Sequence, residues 1–199
     1  DQHLTWSLHL KSLKLILSRE NGLLARLRYY CSQHLLRTVY FALFDSHLRY
    51  GCQIWGQSNS QTHQEIQKLQ NKAIRIMTFN NKRTSTAPLL KELKIMSLSQ
   101  HVRMENSLLV LNHFKKETPQ ANADLFQYVN EQHHHNTRGA LSKNIKLPQV
   151  RTTKYGLESI QYKSAKDWNY LFNTMNIDPP IQNMSNHIFV KALKSYFLT

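Results

Sequence analysis

Lys68, Lys72 and Arg75 stand at i, i+4 and i+7 in the sequence. On a helix turning roughly 100° per residue they share one side, while Leu69, Ala73, Ile76 and Met77 fall on the side of Ile66. Each lysine can neutralise one phosphate, and the Arg75 guanidinium can hold one with paired donors. Glu65 stands at the edge of this ridge and no acid lies inside it. Arg26, Arg28 and Arg37 are further candidates for phosphate contact. A second basic stretch, Arg138, Lys143, Lys146, Arg151 and Lys154, reads either as RNA-binding or as a solvated loop. Tyr29, Tyr30, Arg37, Tyr40, Arg49, Tyr50 and Trp55 interleave rings with cations, which suits base stacking on single strands. Tyr40, Phe41, Phe44 and Trp55 equally have the spacing of a buried stripe.

Other reactive groupings lead nowhere. Phosphoryl-transfer catalysis needs carboxylates converging on magnesium, and the twelve acids are scattered with no Asp-Asp pair. No phosphate-cradling glycine loop and no Gly-x-Ser-x-Gly elbow is present. His133, His134 and His135 are adjacent, so they do not share a helix face, and only Glu131 stands near them at ligand spacing. Asp45, Ser46 and His47 are contiguous, whereas catalytic triads are assembled across a fold. Cys31 and Cys52 are too few for a disulfide framework or a zinc finger and read as buried apolar residues. The sequence therefore predicts no catalytic residue, no metal site and no cofactor within this chain.

These side chains need helices to hold them. Trp6, Leu8, Leu10, Leu13, Leu17, Leu24 and Leu27 predict one long helix over residues 5–30, with Asn21-Gly22 as its point of strain. Ser32 caps a second helix running to Tyr50-Gly51, with Leu35, Leu36, Val39, Tyr40, Leu43 and Phe44 as its stripe. A third runs from Thr62 to Thr78 and carries the ridge. Thr86-Ala87-Pro88 opens a short helix through Leu93, and another spans Leu98 to Lys116. A short helix around Leu125–Val129 follows. Beyond a polar linker at His133–Gly139, Ile145–Thr152 and Leu157–Tyr162 alternate and read as strands. Lys166–Phe172 reads as a helix, Asp178-Pro179-Pro180 breaks the chain, and Ser185 caps a last helix. The expected fold is mainly α. A helical bundle spans 1–82 and a helical extension 83–135. A small C-terminal α+β region with short strands spans 136–199.

The chain has 199 residues and a formal charge of +14, from 26 Lys+Arg and 12 Asp+Glu. Residues 1–100 carry 14 basic and 5 acidic residues, a net of +9, and residues 101–199 carry 12 and 7, a net of +5. An excess this large points to a polyanion, nucleic acid before acidic membrane. No stretch has the roughly 18 apolar residues of a membrane span. The opening Asp1-Gln2-His3 has no Met and no signal-peptide pattern, which suggests a fragment or a translation lacking its true start. With only two cysteines, reducing intracellular conditions, nuclear or cytoplasmic, are the expected setting.

The run from Tyr40 to Gly56, YFALFDSHLRYGCQIWG, resembles a block found after the palm of reverse transcriptases of non-LTR (jockey-like, LINE-type) retrotransposons. Leu69-Gln70-Asn71-Lys72-Ala73-Ile74-Arg75 is similar to the next block of that family. Leu4-Thr5-Trp6-Ser7-Leu8-His9-Leu10 resembles an upstream block. Asn136-Thr137-Arg138, Pro148–Thr152, Asp167-Trp168-Asn169 and Phe189–Leu193 follow its tail in order. The resemblance implies the thumb and C-terminal tail of an RNA-directed DNA polymerase. Such a thumb packs beside the palm and fingers of the same polypeptide and holds RNA template, DNA primer and their hybrid. It places the paired polymerase carboxylates, with their Mg2+, upstream of Asp1. The family's Cys/His zinc knuckle is not matched here. The alternatives are a helical protein-interaction module and a domesticated nucleic-acid-binding protein without polymerase activity.

Overall fold

In a computed structural model the chain is described over residues 6–57, 61–129, 144–175 and 184–198. Among these residues it is mainly helical and forms two compact units, one built on residues up to His101 and the other on Val102–Phe197. Residues 83–101 belong to the first unit because side chains of the bundle hold their backbone, as described below.

In the first unit, α1 is Ser7–Leu27, α2 Gln33–Val39, α3 Ser46–Arg49, α4 Cys52–Trp55, α5 Gln61–Met77 and α6 Ala87–Glu92. The start of α7, Leu98–Phe114, also belongs to it. Leu10, Leu13, Leu17 and Leu24 of α1 are buried, each worth about 1.5–3 kcal/mol of transfer from water. The helix is continuous through Asn21-Gly22, so the expected strain there is absent. Lys14 Nζ lies 2.6 Å from Glu65 Oε2. Further along, Asn21 Nδ2 donates to the Leu69 carbonyl at 3.1 Å, and Arg28 Cζ sits 4.9 Å from the centroid of the Phe79 ring. The contacts advance in the same direction on both helices, so α1 and α5 run parallel.

Ser32 caps α2 by accepting from the Leu35 amide. The helix then widens into a π-helical segment, Tyr40–Asp45, before α3. This narrows the expected stripe, of which Leu36, Tyr40 and Phe44 are buried. Leu36, Tyr40, Phe44, Leu48 and Cys52 are buried at four-residue steps, while Leu35 and Leu43 are exposed. A π turn holds more than four residues, so four-residue steps keep nearly to one face there.

Gln70 is fully buried at the centre of the unit. Its Nε2 donates to Tyr40 Oη at 3.0 Å and to the Met96 carbonyl at 2.8 Å. Its Oε1 accepts from the Leu98 amide at 3.2 Å, at the first turn of α7. Arg37 Nε donates to the Leu93 carbonyl at 2.8 Å. Together these bonds fasten α6 and the chain after it to the bundle.

Three helices stop at a left-handed residue that is not glycine: Phe79 (φ 58), Lys94 (φ 53) and Lys116 (φ 59). Each stop has the paired bonds of a Schellman turn. After α5, Asn80 N donates to Arg75 O (3.0 Å) and Phe79 N to Ile76 O (3.3 Å). Ile95 to Leu90 and Lys94 to Lys91 repeat the pattern after α6, as do Glu117 to Asn112 and Lys116 to His113 after α7.

In the second unit, α8 is Ile160–Met175 and α9 is Asn186–Leu198, following a π-helical turn at Thr153–Leu157. Trp168 is buried, stacked on Phe172 at 5.1 Å and tilted against Phe189 at 5.8 Å. The strands expected at 145–152 and 157–162 are not formed among the described residues. Residues 160–162 open α8, and the earlier segment makes one antiparallel bridge, Ile145 with Tyr128. Asn169 supplies the rest of the pairing. Its Oδ1 accepts from Ile145 N at 2.8 Å and its Nδ2 donates to Ile145 O at 2.9 Å. One side chain thus satisfies both polar groups of a buried residue.

Candidate nucleic-acid interface

The outer face of α5 has the arrangement the sequence predicts. Ile66, Ala73, Ile74, Ile76 and Met77 are buried, and Lys68 and Lys72 are exposed opposite them. Arg75 is half-buried and turned to another use: its Nε donates to the Thr84 carbonyl at 2.8 Å, drawing the loop after α5 against the helix end. Glu65 is bound to Lys14. The hydrogen bond from Lys14, then the charges of Lys14 and Lys68, hold the Glu65 carboxyl below the usual range. The one acid at the ridge's edge is therefore already matched by a cation from α1.

The three arginine candidates separate. Arg26 is exposed in the last turn of α1. Arg28 is half-buried over Phe79. Arg37 is committed twice, to the Leu93 carbonyl and, through its Cζ, to the Phe41 ring at 4.7 Å. So Lys68, Lys72 and Arg26 stand exposed, while Arg28, Arg37 and Arg75 each make a contact within the fold. Of the second basic stretch, Lys146 and Arg151 are exposed. Arg138, Lys143 and the Lys154 side chain lie outside the described residues, as do Glu131, His133–His135 and Asp178-Pro179-Pro180.

The aromatic series divides equally cleanly. Tyr40, Phe44 and Trp55 are buried, and Tyr40 stacks on Phe44 at 5.2 Å. Burial raises the Tyr40 hydroxyl's pKa, and the Asp45 charge adds to this. Tyr29, Tyr30 and Tyr50 stand in solvent. Exposed Phe79 was not singled out from sequence. Its only signal there is its place just past the end of an amphipathic helix.

Asp45, Ser46 and His47 point to three different partners. Asp45 Oδ1 lies 3.1 Å from His101 Nε2, both buried and without hydrogen-bond alignment. Ser46 Oγ donates within its own helix to the carbonyls of Ala42 and Leu43. His47 Nδ1 lies 2.7 Å from Glu20 Oε1 and 3.0 Å from the Leu43 carbonyl. Both are acceptors, so the proton belongs on Nδ1. Burial raises the Glu20 carboxyl's pKa, against the opposing pull of His47. Among the described residues no group of three or more His, Cys, Asp or Glu could hold a metal ion, and no helix is long and apolar enough to cross a membrane. Cys52 is buried and Cys31 half-buried.

No protein-family model, curated protein or solved structure matches this chain.

Proposed function

We propose that this chain is the thumb and C-terminal region of a non-LTR retrotransposon reverse transcriptase, a non-catalytic piece that grips template–primer through phosphates. Its palm, fingers and Mg2+ would lie upstream in the same polypeptide. The observation that carries the reading is the outer face of α5. Lys68 and Lys72 stand exposed on it, and its neighbouring acid is matched by Lys14. The +9 of residues 1–100 and the ordered sequence blocks support it. Phosphate contacts fix position and carry little base information, so the expected binding is salt-dependent with little sequence preference.

The test is the salt dependence of RNA–DNA hybrid binding by Lys68→Gln/Lys72→Gln. Two lost phosphate contacts should flatten the slope of log K against log salt by about 1.4–1.8. Arg75 is left intact because it holds the Thr84 carbonyl. An unchanged slope removes the ridge from the interface. A second reading, a helical protein-interaction module, draws on Leu8 and Leu15, which stand exposed one helical repeat apart on the outer side of α1. Retained folding with no hybrid binding at low salt would favour it.

A further inference from the structure

We propose that the shared end of α1 and α5 is a stacking site for unpaired bases of a single-stranded nucleic acid. Because the two helices run parallel, their C-terminal ends fall together, and the contact of Arg28 with the Phe79 ring joins them. The turn leaving α1 carries Tyr29 and Tyr30, 81% and 89% exposed, and the turn leaving α5 carries Phe79, 51% exposed. Rings of this size are ordinarily drawn into a core. Here Tyr40, Phe44 and Trp55 are drawn in, and these three are left out.

Phe79 also occupies the left-handed position that a Schellman turn normally gives to glycine. A side chain with a β-carbon is strained there. Lys94 and Lys116 take the same position at two other helix ends; at Phe79 it leaves a ring half in water with a guanidinium against its face.

The charge of this end selects the occupant. Arg26 and Arg28 flank the tyrosines, and exposed Lys82 and Arg83 lie on the loop that Arg75 draws in through the Thr84 carbonyl. No acid occurs from Asn21 to Phe44 or from Ile66 to Lys91. Rings alternating with cations, without acids, match a polymer that alternates flat bases with phosphates. A duplex hides its base faces, so this site has a different ligand from the α5 ridge and does not depend on it.

The experiment measures fluorescence anisotropy of the full chain with oligo-dT and oligo-U of about 12 nucleotides, within the range of single-strand sites. An abasic oligomer and a blunt RNA–DNA hybrid of the same length, and anionic lipid vesicles, complete the set. Tyr29→Ala/Tyr30→Ala should weaken both single strands by about tenfold or more. Tyr29→Phe/Tyr30→Phe, which keeps the rings, should stay within about twofold of the parent by the same reasoning. Hybrid affinity and its salt slope should not move. The abasic oligomer should bind the parent more weakly than oligo-dT and should ignore the substitutions. Because both tyrosines are exposed, circular dichroism should show an unchanged fold.

Unchanged single-strand affinity in the alanine pair overturns the proposal. So does an equal loss on hybrid and single strand, or abasic binding equal to oligo-dT. A loss confined to anionic vesicles would assign the rings to a membrane surface and overturn it too. Lys68→Gln/Lys72→Gln, run alongside, reads the ridge through the hybrid slope, so the two readings fail separately.

Discussion

Replacing Gln70 with Leu tests whether one buried amide holds the first unit together. The side chain is fully buried, so the new residue meets no water. Four groups lose a partner: the Tyr40 hydroxyl, the Met96 carbonyl, the Leu98 amide, and the Gln67 side-chain amide, which keeps Asn71 Oδ1 at 3.0 Å. The Leu98 amide retains Gln67 Oε1 at 3.2 Å, so it is only partly orphaned. The other two lose bonds of 3.0 and 2.8 Å. An unsatisfied buried group costs about 1–3 kcal/mol. Two of them, less about 1 kcal/mol of apolar gain from the leucine, give an expected loss of about 3 kcal/mol. Urea unfolding followed by far-UV circular dichroism would report it as a lower midpoint at constant m. Tyr40→Phe removes one of the orphans in advance. The double variant should therefore lose less than the sum of the singles, by about 1 kcal/mol. A loss below about 1 kcal/mol for Gln70→Leu, or strict additivity with Tyr40→Phe, would refute the account of Gln70 as the central fastening.

Gly22 lies inside α1 with nothing within 4 Å of a built Cβ. Gly22→Ala should therefore raise stability by about 0.5–1 kcal/mol, visible as a higher Tm. Lys94 holds the left-handed stop after α6, and Lys94→Gly should stabilise by roughly 0.5–1 kcal/mol in the same assay. Burial raises the Asp167 carboxyl's pKa, against the opposing bond from Asn106 and the charge of Arg103. The folded state then holds the proton at a higher pH than the unfolded chain does. Stability should rise as pH falls through the raised folded value towards the ordinary one near about 4. Asp167→Asn should reduce that rise in urea melts across this range, leaving the share of Glu20, whose carboxyl burial also raises, and an undiminished rise would count against burial of Asp167 as a cause.

The α1 and α5 helices were legible because leucines, isoleucines and cations repeat at helical spacing in both. The π-helical widening at Tyr40–Asp45 was not, because no residue pattern within the segment marks it. Strands were expected at 145–152 and 157–162 because short alternating runs look alike whether a sheet or a helix start follows. Asn169 explains the first case, since it supplies from a helix the bonds a neighbouring strand would have given Ile145. At the site, Lys68 and Lys72 were readable from spacing alone. Arg37 and Arg75 were not, because the carbonyls that take them belong to Leu93 and Thr84, in segments with no sequence signature for that role. The fate of the tyrosines was equally hidden, since composition does not distinguish a ring turned inward from one on a turn.

The parallel course of α1 and α5 has a consequence for how the first unit is assembled. Parallel helices cannot be neighbours through a short turn, and the pair is bridged by contacts 48 and 51 residues apart along the chain. Closing a loop of about 50 residues carries an entropic penalty of about 3.5 kcal/mol before any of those contacts helps. The turns within Gln33–Arg49, by contrast, close locally. The α1–α5 seam is therefore expected to form late, after the transition state. Asn21→Ala, which removes the bond to the Leu69 carbonyl across that seam, should then accelerate unfolding and leave the refolding rate nearly unchanged, as the two arms of a chevron would report.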